Sequence, residues 1–128
     1  MIKGVGIDAV EIERFAEWKN KTHDQLLKVF SEPEIEYCLS NETLSAERFA
    51  VRFAAREAFY KALCMMIPEY AAPFSLTARL ISFSHQNNGA LIAHPQWSEF
   101  GVFENIPKAL CSVTHTKTAA TAIVILSD

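Results

Sequence analysis

One stretch constrains the fold of this chain more than any other. SAERFAVRFAAREAFYKALCMM, Ser45 to Met66, is rich in Ala, Arg, Glu and Leu, which are good helix formers, and Pro68 closes it. The spacing predicts one long helix. Phe49, Phe53, Phe59, Leu63 and Met66 define a broad apolar face. Arg48, Arg52 and Arg56 recur every fourth residue on another face. Glu57 and Lys61 also stand four apart, on one side of the helix.

Shorter elements flank it. IKGVGID, residues 2 to 8, predicts a first strand that ends in a charge, and Gly4 and Gly6 give room for close backbone approach. Val10, Phe15 and Trp18 form a stripe that predicts a short helix over 10–18, and a second is expected over 23–30. SEPE, Ser31 to Glu34, carries the signature of a capping box at the start of a third. After the long helix the expectation is strands over 76–83 and 90–93 around the turn HQNNG, then a short helix over 95–103. A final hairpin is expected from strands 109–114 and 119–126. Helices gather in the first half and strands in the second. This predicts an α+β fold, a small mostly antiparallel sheet packed on one long helix, in a single domain over residues 1–128.

Composition narrows the classes. Half of the 128 residues are hydrophobic, Gly and Pro are few, and the formal net charge is -3, so disorder and broad nucleic-acid binding are both disfavoured. Nine of the 12 Lys and Arg residues lie at or before residue 61, which puts the charged chemistry in the N-terminal half. Cys38, Cys64 and Cys111 are widely spaced, odd in number and form no CxxC pair. They read as free thiols in a reducing compartment. No targeting run or membrane-length apolar segment stands out, so the reading is a soluble, cytoplasmic protein.

Asp8 and Glu57 are the first candidates for chemistry. Two carboxylates from separate elements suit a hard divalent cation, with water and phosphate completing its shell. The plain alternative is a surface acid and a helix-stabilising Glu57–Lys61 pair. Arg52, Arg56 and Lys61 suit phosphate oxygens, as a rigid fork or as a point charge, against the alternative of ordinary solvated helix surface. His115, in SVTHTKT, stands near a turn, where it could contact phosphate, move a proton or serve structure. Arg14, Trp18 and Lys21 form a basic and aromatic strip suited to an acidic partner, with Trp18 equally at home in the core.

Four blocks in order resemble the holo-acyl-carrier-protein synthases, a phosphopantetheinyl transferase family. They are GVGIDAVEIERF, VFSEPEIEYC, RFAAREAFYKAL and SVTHT followed by a strand like TAIVIL. The resemblance implies magnesium-dependent transfer of 4'-phosphopantetheine from coenzyme A to a serine of apo acyl carrier protein, in fatty acid biosynthesis. It implies that Asp8 and Glu57 bind magnesium and that Arg52 and Lys61 contact coenzyme A phosphates or line their site. It also implies that Arg14 docks the carrier, with Trp18 and Lys21 nearby, and that His115 matches the family's closing histidine. Catalysis is then expected from Glu57, Asp8 and Lys61, in a homotrimer with sites at subunit junctions. Two residues depart from the family. Arg56 stands where lysine is common, and Leu110 stands where histidine is frequent. Leu110 motivates the alternative of an impaired relative that binds coenzyme A or a carrier without efficient transfer.

Overall fold

A computed structural model describes residues 1–128, and the expected long helix is its axis. The helices are α1 (His23–Leu27), α2 (Glu32–Leu39), α3 (Ser45–Met66) and α4 (Phe74–Thr77). The strands are β1 (Ile2–Glu11), β2 (Ile81–His85), β3 (Leu91–Pro95), β4 (Lys108–His115) and β5 (Ala119–Ser127). They form two sheets, a three-stranded one in the order β1-β5-β4 and the hairpin β2-β3. Every pairing is antiparallel. The architecture is thus α+β with a long central helix, as the pattern predicts.

α3 lies across the three-stranded sheet, and small residues let it come close. A Cβ at Gly6 would fall on the carbonyl oxygen of Ala58, and one at Gly4 on that of Ala62. Backbone therefore meets backbone, which only glycine permits. Val10, Ala120, Ala122, Val124 and Leu126 complete this buried layer. The far side of α3 packs its aromatics. Phe49 and Phe53 meet Phe15, Trp18 and Phe30 at ring-centroid distances of 5.2 to 6.1 Å. Phe59 meets Trp97 and Phe100.

Three expectations are corrected. The chain over 10–18 is not one helix, because β1 runs on to Glu11 and is followed by 3-10 turns at Ile12–Phe15 and Trp18–Asn20. Ladder pairing of Val10 and Glu11 with Ala120 and Ala119 outweighs the local stripe. The strand expected from Leu76 begins only at Ile81. Pro73 instead starts α4, which passes through a 3-10 turn into β2. Over 95–103 only Trp97–Glu99 is helical. The caps and turns fare better. Ser31 and Glu34 form the capping box reciprocally, and Gly89 takes the positive φ of the β2-β3 turn.

Candidate active site

The close approach of β1 to α3 sets Asp8 against the middle of the helix. Asp8 points toward α3, as the buried Gly6 and Val10 positions on either side of it do. Its side chain is 15% exposed. Lys61 donates to Asp8 Oδ1 at 3.1 Å and to the carbonyl of Ile7 at 2.9 Å. Asp8 Oδ2 is buried and has no hydrogen-bond partner. Such an orphaned oxygen is costly unless something fills its place. Lys61 thus reaches Asp8 across the elements, and no ion pair joins it to Glu57.

Glu57 stands one helical turn before Lys61 and is half-buried. Burial pushes its carboxyl above the usual carboxylate range, and the Asp8 charge pushes it further. Lys61 and Arg14 only partly offset this. The two carboxylates are thus near enough for the charge of Asp8 to act on Glu57, and Lys61 and Arg14 do not cancel it. The donors are hard oxygens, and no third His, Cys, Asp or Glu joins them. A divalent cation of the magnesium type fits this set, since it is commonly held by one or two carboxylates, with water and phosphate as its other ligands.

The opposite side of α3 is built differently. Glu34, at the start of α2, is 1% exposed. Arg56 Nη1 donates to its Oε2 at 2.8 Å, and Nη2 donates to its Oε1. Arg56 also donates to the carbonyls of Ala78 at 3.1 Å and Ile81 at 2.9 Å. Burial pushes the Glu34 carboxyl up, but the Arg56 hydrogen bonds and charge, with the Ser31 bonds, hold it below the usual range. Arg52 lies 3.4 Å from Glu34, stacks over Tyr37 and donates to Nδ1 of His85 at 3.3 Å. With an always-protonated guanidinium on Nδ1, that nitrogen is the acceptor. Burial and the charges of Arg52 and Arg48 push the His85 pKa down accordingly.

Arg52 and Arg56, expected at phosphate, face inward in this chain. They are 3% and 1% exposed, and both guanidinium groups are engaged inside the protein by Glu34. Glu34 is the residue that sequence reasoning missed. Its S-x-x-E setting reads fully as a helix cap, while its bond to Arg56 spans 22 positions.

The remaining candidates lie around this frame. The Arg14 guanidinium sits 4.7 Å over Phe53 and is close enough to Glu57 to oppose its pKa shift. Trp18 is half-buried among Phe15, Phe30, Phe49 and Phe53, and Lys21 covers it at 5.0 Å. His115 Nδ1 is 3.2 Å from Oε1 of Glu47, near the start of α3. It is two strands and two residues from Asp8, about 12 Å by strand spacing, so a single chain does not bring it to the two acids. Leu110 points to the other face of the sheet and is 65% exposed. It forms a cross-strand row with Ile125 and Val5, beside the row of Ile7 and Ile123.

Known proteins resemble this chain in sequence and fold. The family profile described as the 4'-phosphopantetheinyl transferase superfamily matches residues 4–123. A holo-[acyl-carrier-protein] synthase of Treponema denticola is 35% identical, with 98% of each chain aligned. One from Geotalea daltonii is 50% identical over 64 residues, so the chain spans only half the length of that relative. The ACPS–CoA complex of Chronobacterium ammoniagenes superposes with a TM-score of 0.76 at 25% identity, covering 96% of this chain and 95% of that one. The chain belongs to the 4'-phosphopantetheinyl transferase superfamily. Within that class of transferases it is of the holo-acyl-carrier-protein synthase type.

Proposed function

We propose that the protein transfers the 4'-phosphopantetheine arm of coenzyme A to a serine of an apo acyl carrier protein, with a divalent cation held by Asp8 and Glu57. The observation that carries this reading is the half-open acid pair, with one buried carboxylate oxygen left unpartnered and a second carboxyl raised by burial and like charge. Magnesium bound there supplies neutralisation of the coenzyme A diphosphate.

The chain's own residues do the rest. Lys61 holds Asp8 in place and offers positive charge at the rim of the site, its side chain 51% exposed. The serine Oγ forms a new bond to the phosphorus next to pantetheine. The diphosphate P–O bond breaks, and adenosine 3',5'-bisphosphate departs with the bridging oxygen. Glu57 accepts the serine proton, directly or through a water. Arg14, beside Glu57 and over Phe53, receives the acidic carrier, with Lys21 and Trp18 further along the same edge.

The outer face of the three-stranded sheet supports a homotrimer. Val5, Ile7, Leu110 and Ile123 are 38%, 60%, 65% and 36% exposed, an apolar surface that a second subunit would cover. Leu110 then contributes apolar contact where the family often places histidine, and proton transfer rests on Glu57. In such a trimer His115 can serve a neighbour's site. The three cysteines are free and no helix is long and apolar enough to cross a membrane, which fits the cytoplasm proposed here.

The test is incubation with apo carrier protein, coenzyme A and magnesium, read by intact mass of the carrier. The expected result is a gain equal to one phosphopantetheine arm, dependent on Glu57. No gain across several carriers, with coenzyme A binding retained, selects the impaired relative instead.

A further inference from the structure

A second surface lies one helical turn from Glu57 and has no part in the reaction as described. It begins at Phe74 of α4. This ring packs edge-on against Phe53 at 5.5 Å and against Tyr60 at 5.8 Å. Phe53 and Tyr60 stand four residues before and three after Glu57 on α3. Phe53 also carries Arg14. Beyond Phe74 the surface opens into a groove of about 340 Å³. Val29, Phe74, Leu76 and Ala78 line it, with Lys28 and Arg79 as its charged residues.

Three properties of the groove point the same way. Its lining is mainly apolar, and Leu76 is 55% exposed, a large side chain in water for no structural gain. Neither Lys28 nor Arg79 takes part in any ion pair. No acid lines the groove, nor the adjoining cavity that shares Val29 and Arg79, although the chain as a whole has 15 acidic residues against 12 basic ones. The one other cation in that neighbouring cavity, Arg56, is already neutralised by Glu34. The groove is thus a locally positive, apolar-floored surface on a net-negative protein.

We propose that this groove is a second docking site for the carrier protein, taking an acidic amphipathic segment. An apolar side chain of that segment fills the space between Phe74 and Leu76, and its carboxylates meet Lys28 and Arg79. The proposal rests on the reading that a carrier protein is the acceptor. It adds Phe74, Leu76, Lys28 and Arg79 to the Arg14 edge, so that contacts on both sides of Phe53 fix how the acceptor serine approaches Glu57. An apolar anchor flanked by charges is an arrangement that gives orientation as well as affinity.

Steady-state transfer to a fatty-acid-type apo carrier tests it, with carrier and coenzyme A varied separately. The variants are Leu76→Asp and the double reversal Lys28→Glu/Arg79→Glu. All three positions are exposed, and unchanged melting curves verify that the variants fold. The expected result is a rise of about tenfold or more in KM for the carrier, as for loss of an interface anchor, with kcat and KM for coenzyme A unchanged. Anisotropy of labelled apo carrier should weaken in parallel. Folded variants with an unchanged carrier KM overturn the groove while leaving the transferase reading intact. A rise in KM for coenzyme A instead of carrier also overturns it. Wild-type protein that transfers nothing to any carrier refutes the transferase reading itself, and the groove with it.

Discussion

The two sides of α3 handle charge in opposite ways. Toward α2, one carboxylate and two guanidinium groups are sealed from water, and Glu34 and Arg56 bind as a two-pronged pair that two backbone carbonyls complete. Toward β1, the accessible Lys61 pairs with Asp8, an oxygen of Asp8 is left without a partner, and burial and the Asp8 charge hold Glu57 above its usual pKa. The Glu34–Arg56 pair in the interior fixes the helix in place. Unmatched charge at an accessible edge leaves something for a ligand to complete. Arg52 Nε is also buried without a hydrogen-bond partner, so what separates the two sides is access, and functional chemistry is expected at the accessible one.

The strongest way to break this comparison is to unbalance the buried side. Glu34→Ala leaves Arg52 and Arg56 buried without their counter-charge. Removing one partner of a buried pair costs about 3–5 kcal/mol, a large part of the stability of a domain this size. Urea titration should show that loss, or no folded protein at all. The same residue sets an acid limit. Its folded pKa is lowered, so its contribution is fully present above the unfolded value and is lost as pH falls through the folded value. Wild-type stability should decline on acidification through this window, and the decline attributable to Glu34 should be absent from Glu34→Gln.

The second test acts on the other side. Glu57→Ala should lower transfer by about 10²- to 10⁴-fold, the usual contribution of a positioned proton acceptor, while far-UV circular dichroism stays unchanged. Activity that survives this change refutes the proposed base. The contrast between the sides is then complete, since Glu34→Ala removes the fold and Glu57→Ala only the chemistry.

A third change is smaller. Arg56→Lys keeps the charge but loses the fork that binds both Glu34 oxygens and two carbonyls. The loss of hydrogen bonds to a charged partner should cost about 1.5–3 kcal/mol in chemical denaturation. A neutral result would show that the second prong is dispensable.

The same two sides divide what the sequence reveals. Asp8, Glu57 and Lys61 stand out as candidates in the sequence because acids interrupt elements that otherwise read as apolar or alanine-rich, and because the blocks around them resemble a family. The burial of Arg52 and Arg56 was not legible, because a repeat of every fourth residue looks the same on a solvated face and on a buried one. What separates the two cases is Glu34, and local periodicity says nothing of a partner 22 positions away. The short elements failed for a related reason. Pro73 at the start of α4 was a local signal that could have corrected the strand expected from Leu76. The extension of β1 through Glu11, by contrast, depends on pairing with Ala119 at the far end of the chain.

The smallest expected effect discriminates most finely between the two sides. Glu57→Gln removes the charge and keeps the shape. Because the folded pKa of Glu57 is raised, its ionised form is disfavoured by the fold. The wild type therefore loses stability relative to the variant as pH rises from the unfolded value through the folded one. The variant should melt slightly higher at pH 7, and the gap should close below the ordinary glutamate pKa of about 4.3. Magnesium should then reverse the order. A cation that binds the folded wild type adds stability by mass action, and the variant, with one ligand charge gone, gains less. Glu34→Gln should show the opposite sign at pH 7 and no response to magnesium, because its site is already filled by Arg56. Wild type and Glu57→Gln responding to magnesium alike would mean that Glu57 does not hold the ion, and the acid pair would lose its proposed role.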